Sequence, residues 1–174
     1  EKYGILNHFK VEEISQQDMN DIAVSSTKIR KAIEQGQIEK ANDYLGYPFM
    51  LTGEVVKGKN LGEKIGFPTA NLNVKETYKL VPKTGAYVVK SIIENTPVYG
   101  MMNIGFRPTV SGINQTIEIH FFDFNQNLYG KIIQVEVLCF LRNEQKFESV
   151  EVLQQQLIKD QKKSLEVIHG TLFE

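Results

Sequence analysis

The chain has 174 residues, of which 41% are hydrophobic and 24% are charged. This length supplies one ordinary hydrophobic core with a small appendage, so two full domains are excluded. The 20 basic and 21 acidic residues leave a formal net charge of -1. That balance gives no overall field to attract nucleic acid or an anionic membrane, although a local basic patch can still bind phosphate.

Three further features concern where the chain works. The lone Cys139 cannot form an internal disulfide, and its apolar setting favours a buried, inert thiol over a nucleophile. No apolar run is long enough to span a bilayer and no signal peptide opens the chain, so a cytoplasmic location is predicted. Because the chain starts at Glu1 rather than at Met, we expect it to be a piece of a longer protein.

Two short helices are predicted before Pro48. The first is capped by the hydroxyl cluster 25–27 and has an apolar face made of Ile29, Ala32 and Ile33. The second ends at Gly46 and carries Ile38, Ala41 and Leu45. Pro48 then marks a boundary in the chain.

After this boundary the apolar period changes to that of strands. Short segments rich in β-branched and aromatic residues alternate with Gly, Pro or Asn, at 50–57, 86–93, 97–103, 115–124 and 131–140. Many short strands at this spacing predict a closed or nearly closed antiparallel barrel, because closure removes exposed edges. Ser149 can cap a terminal helix packed against the barrel, with an apolar stripe of Val150, Leu153, Leu157, Leu165 and Ile168.

The strand at 116–121 alternates apolar and polar residues. Its apolar positions face the core and its polar face carries Glu118 and His120. Glu118 is the candidate base, since partial burial would suit a carboxylate to accept a hydroxyl proton. The alternatives are a solvated glutamate on the strand face and, for His120, a structural or solvated side chain.

A glycine-rich stretch leaves the first strand, with Lys57, Lys59 and Lys64 interleaved among Gly53, Gly58, Gly62 and Gly66. Glycine lets backbone N–H groups approach an anion without a Cβ in the way, and the lysines can add contacts to phosphate oxygens. The stretch is neither a Walker A loop nor a dinucleotide fingerprint. By itself it is more typical of a flexible surface loop than of a phosphate site.

Two more segments carry candidate ligands. Pro68 precedes Thr69 and Asn71, whose side chains share a face in an extended segment and offer neutral oxygen donors of the kind Mg²⁺ accepts beside triphosphate oxygens. They can instead satisfy a local turn. In the turn-rich segment 103–109, Arg107 can bind a phosphate or remain an ordinary exposed arginine.

Together these motifs resemble the riboflavin kinase family, in the right order and over residues 48 to about 165. The resemblance rests on 66–72 (GFPTANL), 103–109 (NIGFRPT), 118–120 (EIH), 128–131 (LYGK) and 146–149 (KFES). It implies a six-stranded antiparallel Greek-key barrel with a C-terminal helix, which transfers the γ-phosphoryl group of ATP to the 5′-hydroxyl of riboflavin.

The resemblance also implies roles for individual residues. Glu118 is the base, and Thr69 and Asn71 hold Mg²⁺. The ATP phosphates are covered by Gly53, Gly58, Lys59, Gly62 and Gly66 together with Thr69 and Asn71. A second flap and the flavin side involve Asn103, Gly105, Arg107 and Arg142.

The first 47 residues resemble a different element. Segment 24–30 (VSSTKIR), followed by Gly36 and 45–46, is similar to the end of the FMN adenylyltransferase domain in bacterial bifunctional FAD synthetases. We therefore expect an adenylyltransferase remnant at 1–47 and a riboflavin kinase domain at 48–174. The parent protein would make FAD from FMN, whereas this chain, without the N-terminal nucleotide motif, would not.

Two other classes of function remain alternatives. One is a flavin-binding or regulatory barrel without turnover, although such a barrel would not need Thr69, Asn71 and Glu118 together. The other is a β-barrel adaptor for protein or RNA. Neutral charge and the lack of interleaved aromatic and basic strand residues argue against RNA, so the predicted partners are riboflavin and ATP, with neither nucleic acid nor membrane.

Overall fold

The computed structural model describes residues 18–19, 22–58, 61–76, 78–109 and 112–172. Its elements in chain order are β1 (Asp18–Met19), β2 (Ile22–Ala23), α1 (Ser26–Glu34), α2 (Ile38–Leu45), β3 (Phe49–Val56), α3 (Leu61–Lys64), β4 (Ala70–Asn73), β5 (Gly85–Ile93), β6 (Thr96–Thr109), β7 (Gly112–Phe121), β8 (Ile132–Asn143) and α4 (Val150–Leu172).

Six strands close into a barrel in the order β3-β4-β7-β6-β5-β8, and every neighbouring pair is antiparallel. Strands β5, β6 and β7 follow one another as hairpin neighbours, and β8 returns to lie beside β5. That arrangement is a Greek key. The predicted fold, a six-stranded antiparallel Greek-key barrel with a C-terminal helix and short helices before it, is confirmed.

The barrel interior follows the predicted alternation. Ile117, Ile119 and Phe121 of β7 are buried, while the residues between them face outward. Tyr87 of β5 lies completely buried at the centre of the same core. Each large apolar side chain buried in this way contributes about 1.5–3 kcal/mol, so the alternating strands dominate the stability of the barrel.

Helices α1 and α2 pack onto the barrel core. Within the predicted hydroxyl cluster 25–27 it is Ser25 that caps α1, and Gly46 ends α2 in the left-handed conformation. Buried Ile33 and Ile38 belong to the same apolar cluster as the barrel interior. Asn42 donates to the carbonyl of Val137 at 2.9 Å and accepts from the N–H of Phe49 at 2.8 Å. The division of the chain at 47/48 stays a prediction, but residues 26–45 share one core with the barrel.

Helix α4 covers part of the barrel's outer surface. A second apolar cluster joins Ile168 of the helix to the outward faces of the strands, through Phe67, Ala86, Val88, Met101, Phe122 and Leu141. The prediction that Val150 belongs to the apolar stripe is wrong, because Val150 begins the helix and is 45% exposed. None of the helices in the described residues is long and apolar enough to cross a membrane.

Two strands differ from the sequence prediction. Strand β6 continues to Thr109, through the segment predicted as turn-rich, and pairs with β7 from Gly100 to Thr109. Strand β4 has four residues and was predicted only as an extended segment.

Cys139 is half-buried. Burial, and to a smaller extent the charge of Glu39, raises the pKa of its thiol to about 11, which keeps the thiol protonated at neutral pH.

Candidate functional site

A row of polar side chains crosses three neighbouring strands on the outer face of the barrel. Glu118 of β7 is the cross-strand partner of Asn71 on β4 and of Asn103 on β6. Residues opposite one another in an antiparallel ladder project to the same face and lie close together. The barrel register therefore brings together three residues that are separated by 15 or more positions in the sequence.

Glu118 and Asn103 of this row line a cavity of about 260 Å³ between the barrel and α4, and Asn71 lines a neighbouring cavity. The polar side of the cavity includes Thr69, Asn103, Glu118 and His120, and the opposite side is apolar, with Phe147, Leu153 and Leu157. An apolar slot with a few convergent polar groups is the usual form of a small-molecule site. The predicted site residues Gly62, Gly105, Arg107 and Arg142 line it as well.

Glu118 is held by an ion pair inside this cavity. The Nη2 atom of Arg107 lies 2.7 Å from Oε1 of Glu118, and the two side chains are 34% and 19% exposed. Arg107 is four residues beyond Asn103 on β6, and Gly105 occupies the same face between them. A Cβ on Gly105 would overlap Oε1 of Glu144, so the glycine makes room for a second carboxylate that also lines the cavity. Sequence reasoning placed both residues in the site but did not predict their pairing.

His120 of β7 forms a hydrogen bond to the segment just before β4. Its Nδ1 atom lies 2.8 Å from the carbonyl oxygen of Pro68, and its ring packs edge-on against Phe67 and Phe122. The backbone ladder between the two strands is recorded from Ala70 onward. The side-chain contact thus extends the connection between the two strands to Pro68, the residue before Thr69.

The four glycines predicted to cover phosphates take different positions around β4. A Cβ built on Gly58 would overlap the amide of Asn71, so the two residues touch, and Gly62 approaches the carbonyl of Phe67 just as closely. Gly66 has a φ of +83°. Gly53 instead lies inside β3, opposite Ile133, and its Cα packs against β4. Lys59 lies outside the described residues.

Arg142 forms a second ion pair at the far end of the cavity. Its Nε and Nη2 atoms lie 2.8–3.0 Å from the carboxylate of Asp160 on α4. Nη1 donates to the carbonyl of Asn143, Gln156 donates to Asp160 at 2.8 Å, and the guanidinium lies over the ring of Phe147. These contacts attach the helix to the barrel.

Thr69 lines two cavities. Besides the 260 Å³ cavity it borders one of about 450 Å³ on the other side of β4. The walls of this second cavity are apolar and aromatic, with Phe121, Phe124 and Tyr129, and a run of amide side chains, 125–127, closes it. A ligand in each cavity would therefore meet at Thr69, next to Glu118.

The oxygen donors of this region fit a hard cation that completes its shell elsewhere. Asn71 offers a carbonyl oxygen, Thr69 a hydroxyl and Glu118 a carboxylate, which are the donor types that Mg²⁺ takes. Across the described ranges, no three His, Cys, Asp or Glu side chains converge as a metal site. A Mg²⁺ ion here would depend on ligand oxygens and water for most of its coordination.

Thr116 and Asp160 line the cavity as well, and sequence reasoning did not assign them to the site. Thr116 lies two residues before Glu118 on the same face, and that spacing could have identified it. Asp160 continues the apolar stripe of α4 after Leu153 and Leu157 at helical spacing. A carboxylate at such a position signals a buried partner, although nothing local indicates that the partner is Arg142.

Comparison with known proteins gives a consistent result. The sequence model of the riboflavin kinase (flavokinase) family matches residues 45–168. A Bacillus subtilis protein described as a bifunctional riboflavin kinase/FMN adenylyltransferase is 38% identical over 158 residues, covering 89% of this chain and 49% of that protein. A Haemophilus influenzae protein of the same description is 41% identical over 138 residues, covering 79% and 44%.

A solved structure is also similar. A Streptococcus pneumoniae crystal structure described as a macrolide-efflux protein superposes with a TM-score of 0.80 at 35% identity, covering 87% of this chain and 49% of that one. The chain spans about half the length of the curated relatives it matches.

Proposed function

We propose, from the premise that this chain belongs to the riboflavin kinase family, that its barrel transfers the γ-phosphoryl group of ATP to the 5′-hydroxyl of riboflavin, giving FMN and ADP. The observation that carries the proposal is the position of Glu118. A half-buried carboxylate lies between Asn71 and Asn103, where the cavity under α4 meets Thr69. A phosphoryl-transfer site needs such a group to orient the attacking hydroxyl.

Riboflavin would occupy the 260 Å³ cavity. Its flat ring system suits the apolar side formed by Phe147, Leu153 and Leu157, and its ribityl chain would extend along the polar row toward Glu118. Arg142 lines this cavity, but its guanidinium already bonds to Asp160 and Asn143. We therefore infer that Arg142 shapes the flavin slot through α4 more than it binds polar groups of the flavin.

ATP would approach from the other side of β4. The aromatic and amide side chains of the 450 Å³ cavity suit a purine base, and Thr69 connects that cavity to the flavin side. Close packing of Gly58 against Asn71 and of Gly62 against Phe67 brings backbone N–H groups near the place where phosphates would lie. Gly53 lies inside β3, and we propose that it acts through strand packing.

In the transfer, the oxygen of the riboflavin 5′-hydroxyl bonds to the γ-phosphorus while the bond from that phosphorus to the β,γ-bridging oxygen breaks. The hydroxyl proton passes to the Glu118 carboxylate, and ADP leaves with the electron pair of the broken bond. Charge on the transferring group is stabilised by backbone N–H groups and by cationic side chains. The main contribution of the protein is position, since the two substrates meet in line beside Thr69.

Mg²⁺ is part of the proposal. Thr69 and Asn71 would hold it, and the ion would supply positive charge that offsets the negative charge of the phosphates. The hard-oxygen donor set and the close contact between Asn71 and Gly58 support this assignment.

The longer parent protein would also adenylate FMN to FAD. The support is that the two curated relatives are described as bifunctional and that this chain covers 49% and 44% of them. We propose that the present chain alone makes FMN and no FAD, and that it acts in the cytoplasm, where ATP is available.

The test is incubation of the chain with riboflavin, ATP and Mg²⁺, followed by chromatographic separation of riboflavin, FMN and FAD. We expect FMN, no FAD, and no FMN when divalent metal is chelated. Riboflavin that binds without turnover would favour the alternative of a flavin-binding barrel that lacks catalysis.

A further inference from the structure

Arg107 borders two cavities of the site. It lines the 260 Å³ cavity together with Glu118 and Thr69. It also lines a neighbouring cavity of about 430 Å³, whose walls include Lys57, Gly58 and Asn71. Its guanidinium is therefore placed between the candidate base and the surface beside the glycine-rich segment.

The contact between Arg107 and Glu118 is incomplete. One 2.7 Å contact joins Nη2 to Oε1, and the arginine side chain is 34% exposed. The guanidinium carries five donors in a planar fork, so one contact leaves much of its capacity for another acceptor. The strand face at Gly105 is covered by the Glu144 carboxylate, so the arginine side chain would turn toward the 430 Å³ cavity instead.

A triphosphate would compete for this guanidinium. Its terminal phosphate carries more charge than one carboxylate and offers several oxygens in the geometry that arginine binds with two parallel hydrogen bonds. The 430 Å³ cavity brings Arg107 to the same surface as Lys57 and Gly58, where the proposed function puts the phosphates. A carboxylate that is paired with an arginine is also poorly placed to accept a hydroxyl proton.

We propose that Arg107 exchanges between Glu118 and the terminal phosphate of the nucleotide, so that nucleotide binding releases the Glu118 carboxylate for proton transfer. The inference rests on the proposed function and adds a coupling to it. The base is paired until the phosphoryl donor arrives, and the same movement brings positive charge onto the phosphoryl group. Binding of the nucleotide and readiness of the base become one event.

The exchange makes an unusual prediction about affinity. Glu118→Gln leaves Arg107 without its competing partner, so this variant should bind a Mg²⁺ complex of a non-hydrolysable ATP analogue about fivefold more tightly than the unmodified chain. Arg107→Gln should bind the analogue roughly tenfold more weakly, because a charged phosphate contact is lost. The double variant should be as weak as Arg107→Gln.

Calorimetric titration with the non-hydrolysable analogue measures the four affinities without turnover. The four proteins are the unmodified chain, the two single variants and the double variant. Thermal unfolding verifies that each variant folds, and Arg107→Lys supplies a variant that keeps the positive charge if Arg107→Gln does not fold. Glu136→Gln is the matched control, because Glu136 also forms a cross-strand ion pair, with Lys90 at 3.1 Å, but lines neither cavity. It should leave the affinity unchanged.

Two results would overturn the exchange. Either Glu118→Gln binds no more tightly, or it gains the same factor in the Arg107→Gln background, which would mean that only a negative charge had been removed. If the unmodified chain binds the analogue and forms FMN, but Glu118→Gln shows no gain in affinity for the analogue, only the exchange is wrong. If it binds no nucleotide, the proposed function is wrong as well.

Discussion

The two ends of the cavity under α4 each hold an arginine–carboxylate pair, and the pairs differ in how completely they are satisfied. Arg142 and Asp160 are 15% and 6% exposed, share three nitrogen–oxygen contacts, and are bonded further by Gln156 and by the carbonyl of Asn143. Arg107 and Glu118 share one contact and are 34% and 19% exposed.

This difference separates a structural pair from one suited to function. A buried pair that is held by several hydrogen bonds is costly to open, because each charge would remain in a poorly solvated place. A half-buried pair with one contact contributes little to folding and can be replaced by a ligand at small cost. The cavity thus has one end that fixes the helix and one end that can respond to a substrate.

The strongest test of this contrast is to break each pair from the arginine side. Arg142→Met leaves Asp160 buried without its partner, and we expect the free energy of unfolding to fall by about 3–5 kcal/mol. Arg107→Met, the matched change at the other end, should cost no more than about 1 kcal/mol. Chemical denaturation of both variants measures the two values, and similar losses would contradict the contrast.

The next largest effect concerns activity. Glu118→Gln should lower kcat by roughly 100-fold or more, the scale of a lost general base, with little change in the temperature of unfolding. Steady-state kinetics with riboflavin and ATP measure it. Glu136→Gln, which breaks a comparable cross-strand pair outside the cavity, should keep normal turnover. Full activity of the Glu118 variant would remove it from the mechanism.

A smaller effect is expected from the contact between Gly58 and Asn71, where we propose that the nucleotide phosphates lie. In Gly58→Ala the new Cβ would push the Asn71 amide aside, and we expect KM for ATP in the presence of Mg²⁺ to rise about tenfold through misplacement of that side chain. Gly170→Ala is the control, because a Cβ there meets nothing. An unchanged KM for the Gly58 variant would show that Asn71 has no part in binding.

Salt should produce the smallest difference between the two pairs. The coupling energy of Arg107 and Glu118, from a double-mutant cycle of unfolding free energies, should fall by a few tenths of a kcal/mol between about 0.05 and 0.5 M salt, since exposed pairs are screened. The coupling of Arg142 and Asp160 should stay nearly constant. If both fall equally, the second pair is more solvated than its burial indicates.

Much of the barrel was predictable from local pattern. The alternation at 117–121 identified the inward face of β7, Ser25 and Gly46 marked helix ends, and all three were confirmed. The short strand β4 was not predicted as a strand, because four residues after a proline carry too little periodicity. The length of β6 was missed because its Gly, Pro and Asn residues are typical of turns, and pairing with β7 overrides that preference.

The candidate site was predictable as a set of residue types and not as an arrangement. Glu118, Thr69 and Asn71 were singled out from their motifs, and their roles stay predictions. The neighbours of Glu118 are Asn71 and Asn103 only because of the register of β4, β7 and β6. Its pairing with Arg107 depends on the same pairing of strands, because Arg107 lies on β6 and Glu118 on β7.

The sequence by itself therefore determined the strand period, the helix caps, the family and the identity of the polar residues, since these depend on neighbours along the chain. Closure of the barrel and docking of α4 decided which charges meet. The partners Arg107 and Glu118 come from different strands, and Arg142 and Asp160 join a strand to a helix. Such contacts depend on the free energy of packing the whole core, which no local pattern contains.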